Sequence, residues 1–289
     1  MQKFRRLWFI LVAVATAALL AYQLTQVMKA DSSGPQFSCE EKEMKVSIHD
    51  GEDVLLQGVT AVDKKDGDVT DSILVEKLSG LYDGNKRTVT YVAFDSDDHI
   101  SKMERELVYT DYVSPRFALN GSLRFRAGET VNIDQIVRVE DCIDGDLSNK
   151  VKIQMDTTIN NRLPGVYGIV YEVTNSAKDT VKLPVQVEIY ESNRNEVELN
   201  LSQYLVYYDG KDIDYKQYLK SVKSGTIEYF FEGVTGEDGE DGSIPLSRVT
   251  VQSQVNKDVP GVYPVYFYYE SYSSIYTQGT EVMYVVVQE

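Results

Sequence analysis

The sequence predicts an all-β protein: three tandem β-sandwich domains after one N-terminal helix of membrane-spanning character. Three observations carry this. An acidic phrase, Asp66-Gly67-Asp68-Val69-Thr70, returns as Asp144-Gly145-Asp146-Leu147-Ser148 and, more weakly, as Asp241-Gly242-Ser243-Ile244. A second phrase, Pro164-Gly165-Val166-Tyr167, returns unchanged as Pro260-Gly261-Val262-Tyr263. Recurrence at the spacing of a small domain marks tandem copies of one supersecondary unit rather than one large fold. The third observation is an apolar run over residues 7–22, broken only by Thr16.

That run follows Lys3, Arg5 and Arg6. As a helix, residues 7–22 span about 24 Å, short of a hydrocarbon core of about 30 Å, whereas extension to Met28 gives about 33 Å. Two readings stand, an uncleaved anchor and a cleaved signal peptide. The lack of a small-x-small cleavage site favours the anchor, because Ala30 has Met28 two residues before it. The basic cluster stays cytoplasmic and everything after residue 30 lies outside. The expected location is the cell membrane, spanned once, with residues 7–28 as the membrane contact.

A formal charge of −16 excludes a nucleic-acid partner, which needs clustered Lys and Arg against phosphate. The two cysteines, Cys39 and Cys142, fall in different repeats and are flanked by Glu40, Glu41, Asp141 and Asp144. Units running end to end would set them on the order of 30 Å apart, beyond the roughly 7 Å between Cα atoms that a disulfide allows, and acidic neighbours disfavour the thiolate, so the expectation is two unreactive thiols.

The domains expected after the anchor (1–30) are 31–112, 113–191 and 192–289. In the first, alternation places strands at 44–48, 54–56, 59–62, 73–77, 88–94 and 103–109. Val89, Tyr91 and Ala93 share one face of the strand at 88–94. The second unit starts at Pro115-Arg116-Phe117, parallel to Pro35-Gln36-Phe37, and Asn175-Ser176 parallels Asp95-Ser96. The third unit is more divergent. It keeps Asp209-Gly210-Lys211 and carries an acidic, glycine-rich insertion at 232–243, expected to be a mobile loop.

Units of about 80 residues with short strands and turn signals between them point to β-sandwiches. The run Gly58-Val59-Thr60-Ala61-Val62-Asp63-Lys64-Lys65-Asp66-Gly67-Asp68-Val69-Thr70, followed by Thr88-Val89-Thr90-Tyr91, resembles the bacterial immunoglobulin-like repeats named after a pesticidal crystal protein. Hyalin repeats are similar in look. The resemblance covers the first two units well and the third loosely. It implies tandem extracellular immunoglobulin-like spacers on a bacterial surface protein, and it does not imply toxicity.

No pair of histidines at helical spacing, paired-cysteine motif, nucleophile elbow or phosphate-binding glycine loop occurs, so no enzymatic activity is expected. The strands at 59–62 and 88–94 should run the same way, bringing the turns after them to one end. Asp63, Asp66 and Asp68 from one turn, with Asp95, Asp97 and Asp98 from the other, then read in two ways. They form a Ca²⁺ site of converging carboxylates, the sole cofactor suggested. Alternatively they serve turn chemistry, in which Asp side chains bind backbone N–H groups and Gly takes positive φ.

Thirteen of the 21 tyrosines lie in the third unit. Alternation along 265–269 commits Val265, Phe267 and Tyr269 to one face and leaves Tyr266 and Tyr268 on the other. Those two rings suit sugar stacking or protein contact, or else cross-strand aromatic pairing. The functional expectation is a non-enzymatic surface stalk presenting a distal interaction surface. The alternative is an adhesin-like, cell-wall or carbohydrate-binding module acting through the third unit on a glycan or protein ligand.

Overall fold

Period-two alternation is realised as seven short strands in each of three successive stretches of chain, counted among the described residues. The structure, a computed structural model, describes residues 2–29, 33–193, 195–272 and 276–288. The chain divides into two compact units, Met1–Asp111 and Tyr112–Glu289.

The first unit holds repeat one: β1 (Gln36–Cys39), β2 (Glu43–Val46), β3 (Val59–Asp63), β4 (Gly67–Asp68), β5 (Leu74–Leu78), β6 (Lys86–Phe94) and β7 (Ile100–Tyr109). They make a three-stranded sheet, β1-β3-β4, and a four-stranded sheet, β2-β7-β6-β5. β1 pairs antiparallel with β3, whereas β2 pairs parallel with β7, so the chain crosses between sheets just after Cys39. Val59 and Ala61 from one sheet meet Val89, Tyr91 and Ala93 from the other in a single buried cluster. This is a two-layer sandwich, and the inward face of β6 is the one that alternation selects.

Repeat two has the same plan: β8 (Arg116–Leu119), β9 (Arg124–Arg126), β10 (Val137–Asp141), β11 (Gly145–Asp146), β12 (Lys152–Met155), β13 (Gly165–Thr174) and β14 (Thr180–Tyr190). Its sheets are β8-β10-β11 and β9-β14-β13-β12, with β9 parallel to β14. Repeat three follows with β15 (Glu198–Leu201), β16 (Leu205–Tyr207), β17 (Leu219–Ser224), β18 (Ile227–Phe230), β19 (Val249–Ser253), β20 (Gly261–Tyr272) and β21 (Tyr276–Val287). Its sheets are β15-β17-β18 and β16-β21-β20-β19, with β16 again parallel to its partner, β21. Sheets therefore segregate by repeat. The cores of repeats two and three do not: one buried cluster runs from Phe117 through Tyr171 and Leu199 to Phe267 and Val285. The boundary after residue 111 separates compact units, while the one expected near residue 191 is crossed by a continuous apolar core.

Three local expectations are corrected. The strand expected at 54–56 is instead the last part of a one-turn helix, α2 below. With α1 denoting the N-terminal helix Gln2–Lys29, α2 is Glu52–Leu55 and its counterpart in repeat two is α3, Ile133–Ile136. Glu52 and Asp53 sit in the first turn, where carboxylates favour the unpaired N–H groups. The Leu55 carbonyl, left free at the helix end, accepts the Tyr91 hydroxyl at 2.5 Å, and Ile133 does the same for Tyr171 at 2.8 Å. Second, Asp241-Gly242 does not repeat the earlier turns. Gly67 and Gly145 sit at φ +77° and +71°, whereas at Gly242 a Cβ would fall 1.9 Å from the Phe231 carbonyl oxygen. Glycine is required there for close approach and not for turn handedness. Third, the 232–243 insertion is folded on itself: Gly236 N–H donates to Glu240 O at 2.8 Å and Gly242 N–H to Val234 O at 2.8 Å.

α1 is continuous through residues 2–29 and has no acidic residue in its first turn. The apolar side chains described on it, Trp8 to Leu24, are exposed. Among the described residues no helix is long and apolar enough to cross a membrane. The ends of the expected span, Leu7 and residues 25–28, have side chains outside the described residues.

Candidate functional site

The two acidic turns of repeat one do converge. Asp63 Oδ1 accepts the N–H groups of Lys65 (2.7 Å) and Asp66 (2.9 Å), which closes the first turn. Asp66 then reaches across to the second turn, accepting the Ser96 N–H and hydroxyl, both at 2.8 Å. Those two bonds hold the Asp66 carboxyl below the usual carboxylate range. Asp68 accepts the Thr70 N–H at 3.0 Å, and Thr70 likewise lowers its carboxyl. Asp95 is buried, which works against its ionisation. Hydrogen bonds from the His99 and Asp97 N–H groups (2.8 Å each) and the His99 ring (2.7 Å) outweigh this and lower its carboxyl. Asp97 pairs with the Lys65 ammonium at 2.5 Å. Asp98 takes φ +63°, a left-handed turn position that Asp tolerates.

This geometry is the one the turn-chemistry reading expects. The carboxylates meet N–H groups, hydroxyls, an ammonium and an imidazole, and no three His, Cys, Asp or Glu side chains among the described residues are placed to hold a metal ion. Repeat two shows the same staple without the second acidic cluster. Asp141 Oδ1 accepts the Ile143 and Asp144 N–H groups, and Asp144 accepts the Ser176 N–H (2.6 Å) and hydroxyl (2.7 Å).

The thiols are unpaired with each other. Cys39 Sγ donates to Glu41 O at 2.9 Å and Cys142 Sγ to Val113 O at 3.0 Å.

On β20, Val265 and Phe267 are fully buried and Tyr269 nearly so, while Tyr266 and Tyr268 lie half-buried on the opposite face. Their rings stack with centroids 6.4 Å apart and planes 19° from parallel. Cross-strand neighbours on that face are small or flexible: Thr250 and Gln252 on β19, Val282 and Thr280 on β21. The rings are therefore flanked rather than covered by their own sheet.

Two groups escaped the sequence reading. Glu281 lies on the inward face of β21, between buried Gly279 and Met283, and its carboxylate accepts the Ser122 hydroxyl at 2.9 Å and the Val282 N–H at 2.8 Å. Burial pushes its carboxyl up to about 7. The alternation Glu281-Met283-Val285-Val287 was the signal that marks it as inward. The second is a cleft of about 350 Å³ lined by Gln154, Asp156, Gly168 and Gln186 of repeat two and by Pro264 and Tyr284 of repeat three. It arises from packing between residues far apart in sequence and has no local signal.

These features define a tandem β-sandwich protein. No family model matches the chain, and no curated protein matches it. Among solved structures, the CBM51-2 and INT domains of Clostridium perfringens ZmpB with GlcNAc overlap 53% of this chain and 26% of theirs, at 15% identity and a TM-score of 0.22. The protocadherin GammaB4 extracellular domain overlaps 90% of this chain and 50% of its own, at 13% identity and a TM-score of 0.20. Mouse cadherin-23 EC22-24 overlaps 89% and 99%, at 13% identity and a TM-score of 0.20. The chain spans a quarter to a half of the length of the first two. The fold is defined by the strand order of its sheets.

Proposed function

We propose that this protein is a non-enzymatic, membrane-anchored bacterial surface stalk. Three tandem immunoglobulin-like sandwiches would hold the tyrosine-rich third repeat away from the membrane as its interaction surface. The observation that carries this reading is the seven-strand plan repeated three times, with the parallel pairing of second and last strands in each. The acidic turns support it, because their carboxylates are engaged in closing the repeats. Anchoring rests on the basic residues Lys3, Arg5 and Arg6 ahead of the apolar helix.

The test is fractionation of the full chain expressed in a bacterial host, with protease added to intact cells. A stalk of this kind stays with the membrane in high salt and loses its β repeats to external protease. A mature N-terminus near Asp31, or protection of the repeats inside the cell, overturns the anchored reading.

A further inference from the structure

The outer face of β20 and β21 is covered along part of its length only. Tyr284, outward-facing on β21, is buried because repeat two lies over it. Its hydroxyl accepts the Gln186 N–H and donates to the Gln186 carbonyl, both at 2.9 Å. Burial pushes that phenol up to about 12, so it remains a donor throughout the physiological range. Gln186 and Tyr284, joined by this pair of hydrogen bonds, both line the 350 Å³ cleft.

From Tyr284 the same face continues outward. In the register of β20 with β21, Pro264 stands opposite Tyr284 and Tyr266 opposite Val282. Tyr266 is thus one step beyond the cleft lining and Tyr268 the next, and the two rings stack. A cleft of mixed lining, with Val170, Pro184 and Val262 beside its few polar groups, therefore runs into an aromatic platform on one continuous surface. The lining also includes Gln186, Gln154, whose amide donates to Glu172 at 3.0 Å, and the exposed Asp156 carboxylate. Asp156 leans over Gly168, where an added Cβ would lie 3.9 Å from its Oδ2.

The chemistry selects a ligand class. Hydroxyl-rich ligands are held by amides and carboxylates, and the C–H faces of a sugar ring pack on aromatic faces. The lining includes no Lys, Arg or His, and the chain carries −16, so a polyanionic ligand would be repelled. The volume is that of a small-ligand site, which runs from about 300 to 1,000 Å³, whereas a protein partner needs a broad face with an apolar centre. We infer that the cleft between repeats two and three, continued by Tyr266 and Tyr268, binds a neutral saccharide chain. The inference rests on the reading of the third repeat as the interaction surface and adds the ligand class and the part played by repeat two.

The test is calorimetric titration of the detergent-solubilised full chain with cellohexaose and with chitohexaose, both neutral, with a proline-rich peptide as a separate arm. At least one hexasaccharide should bind. Tyr268→Ala and Gly168→Val should each weaken it about tenfold or more without lowering the thermal midpoint appreciably. Valine suits Gly168, which is mid-strand opposite Gln186 and is not among the positive-φ glycines, and its side chain would fill the cleft floor. No heat from either sugar at about 10 mM overturns the inference. Sugar binding that responds to Tyr268→Ala but not to Gly168→Val removes the cleft and leaves the third-repeat surface standing. Peptide binding lost in Tyr268→Ala, with no sugar bound, overturns the saccharide class and again spares the surface reading.

Discussion

In repeat two the buried Asp141 Oδ2 accepts a hydrogen bond from the Asn175 amide at 3.1 Å. In repeat one the matching Asp63 Oδ2 is buried with no hydrogen-bond partner among the described residues, and Asp95 stands where Asn175 does. The turn geometry is otherwise the same, with Oδ1 taking two backbone N–H groups in each. The turn is thus built on one carboxylate oxygen and its N–H partners, while the second oxygen reports how well the surroundings are matched. Repeat three discards the device. A two-residue turn at Gly225 and Thr226 joins β17 to β18, and Phe267 replaces the buried tyrosine of β6 and β13. The strand order survives, so topology follows from the apolar alternation and the staple only reinforces it.

The sharpest way to break this comparison is Asn175→Asp, which sets a carboxylate against Asp141 as in repeat one, but with Asp179 where repeat one has His99. Two facing buried carboxylates, with the donor to Asp141 lost, should cost about 3 kcal/mol in denaturant unfolding. A cost below about 1 kcal/mol would show that the amide is not what satisfies Asp141.

Next in size is Glu281. Its carboxyl rises to about 7 in the folded chain from 4.5. Between those values the folded state binds more protons than the unfolded one. Stability therefore falls as pH rises through the window and levels off above it. Glu281→Gln should abolish that slope and stabilise the second unit at pH 8 by up to about 3 kcal/mol, read from urea midpoints at pH 5 and pH 8. The stapled turns behave oppositely. Asp66, Asp68, Asp144 and Asp146 are held below the usual carboxylate range, so their contribution is present above the unfolded value and is lost as pH falls through the lower folded values.

Asp144→Ala should cost about 1 kcal/mol after solvent screening, since both bonds to Ser176 go. Asp66→Ala should shift the first unit in the same direction. The third-repeat echo, Asp241→Ala, should stay within about 0.5 kcal/mol, because among the described residues its side chain meets the exposed Thr235 hydroxyl at 3.3 Å and no other group. Equal losses at 144 and 241 would contradict the structural separation of the two phrases. The smallest effect expected is a gain. Asp95→Asn offers Asp63 Oδ2 the amide that Asp141 already has, and the melting temperature of the first unit should rise slightly. A fall would show that the Asp95 contact with the His99 ring outweighs the unmatched oxygen.

Much of this was legible locally. Val89, Tyr91 and Ala93 point inward as alternation requires, and Tyr266 and Tyr268 face away from Val265 and Phe267. The meeting of the two acidic turns followed from parallel strand directions. The helical turn at α2 was not legible, because one turn is too short for a 3.6-residue period to register. Glu281 was passed over because a charge in a strand reads as an outward residue until its neighbours are checked against the core face.

What the sequence determined by itself is which face of each strand each side chain takes and where the chain turns, since both are set by neighbours within a few residues. Only the tertiary structure decided what those faces meet. The carboxylates of Asp66 and Asp97 are engaged by Ser96 and Lys65, and Tyr284 is sealed under Gln186 while Tyr266 and Tyr268 are left open beside it. A period of two residues specifies a direction, and the partner waiting in that direction comes from chain tens of residues away.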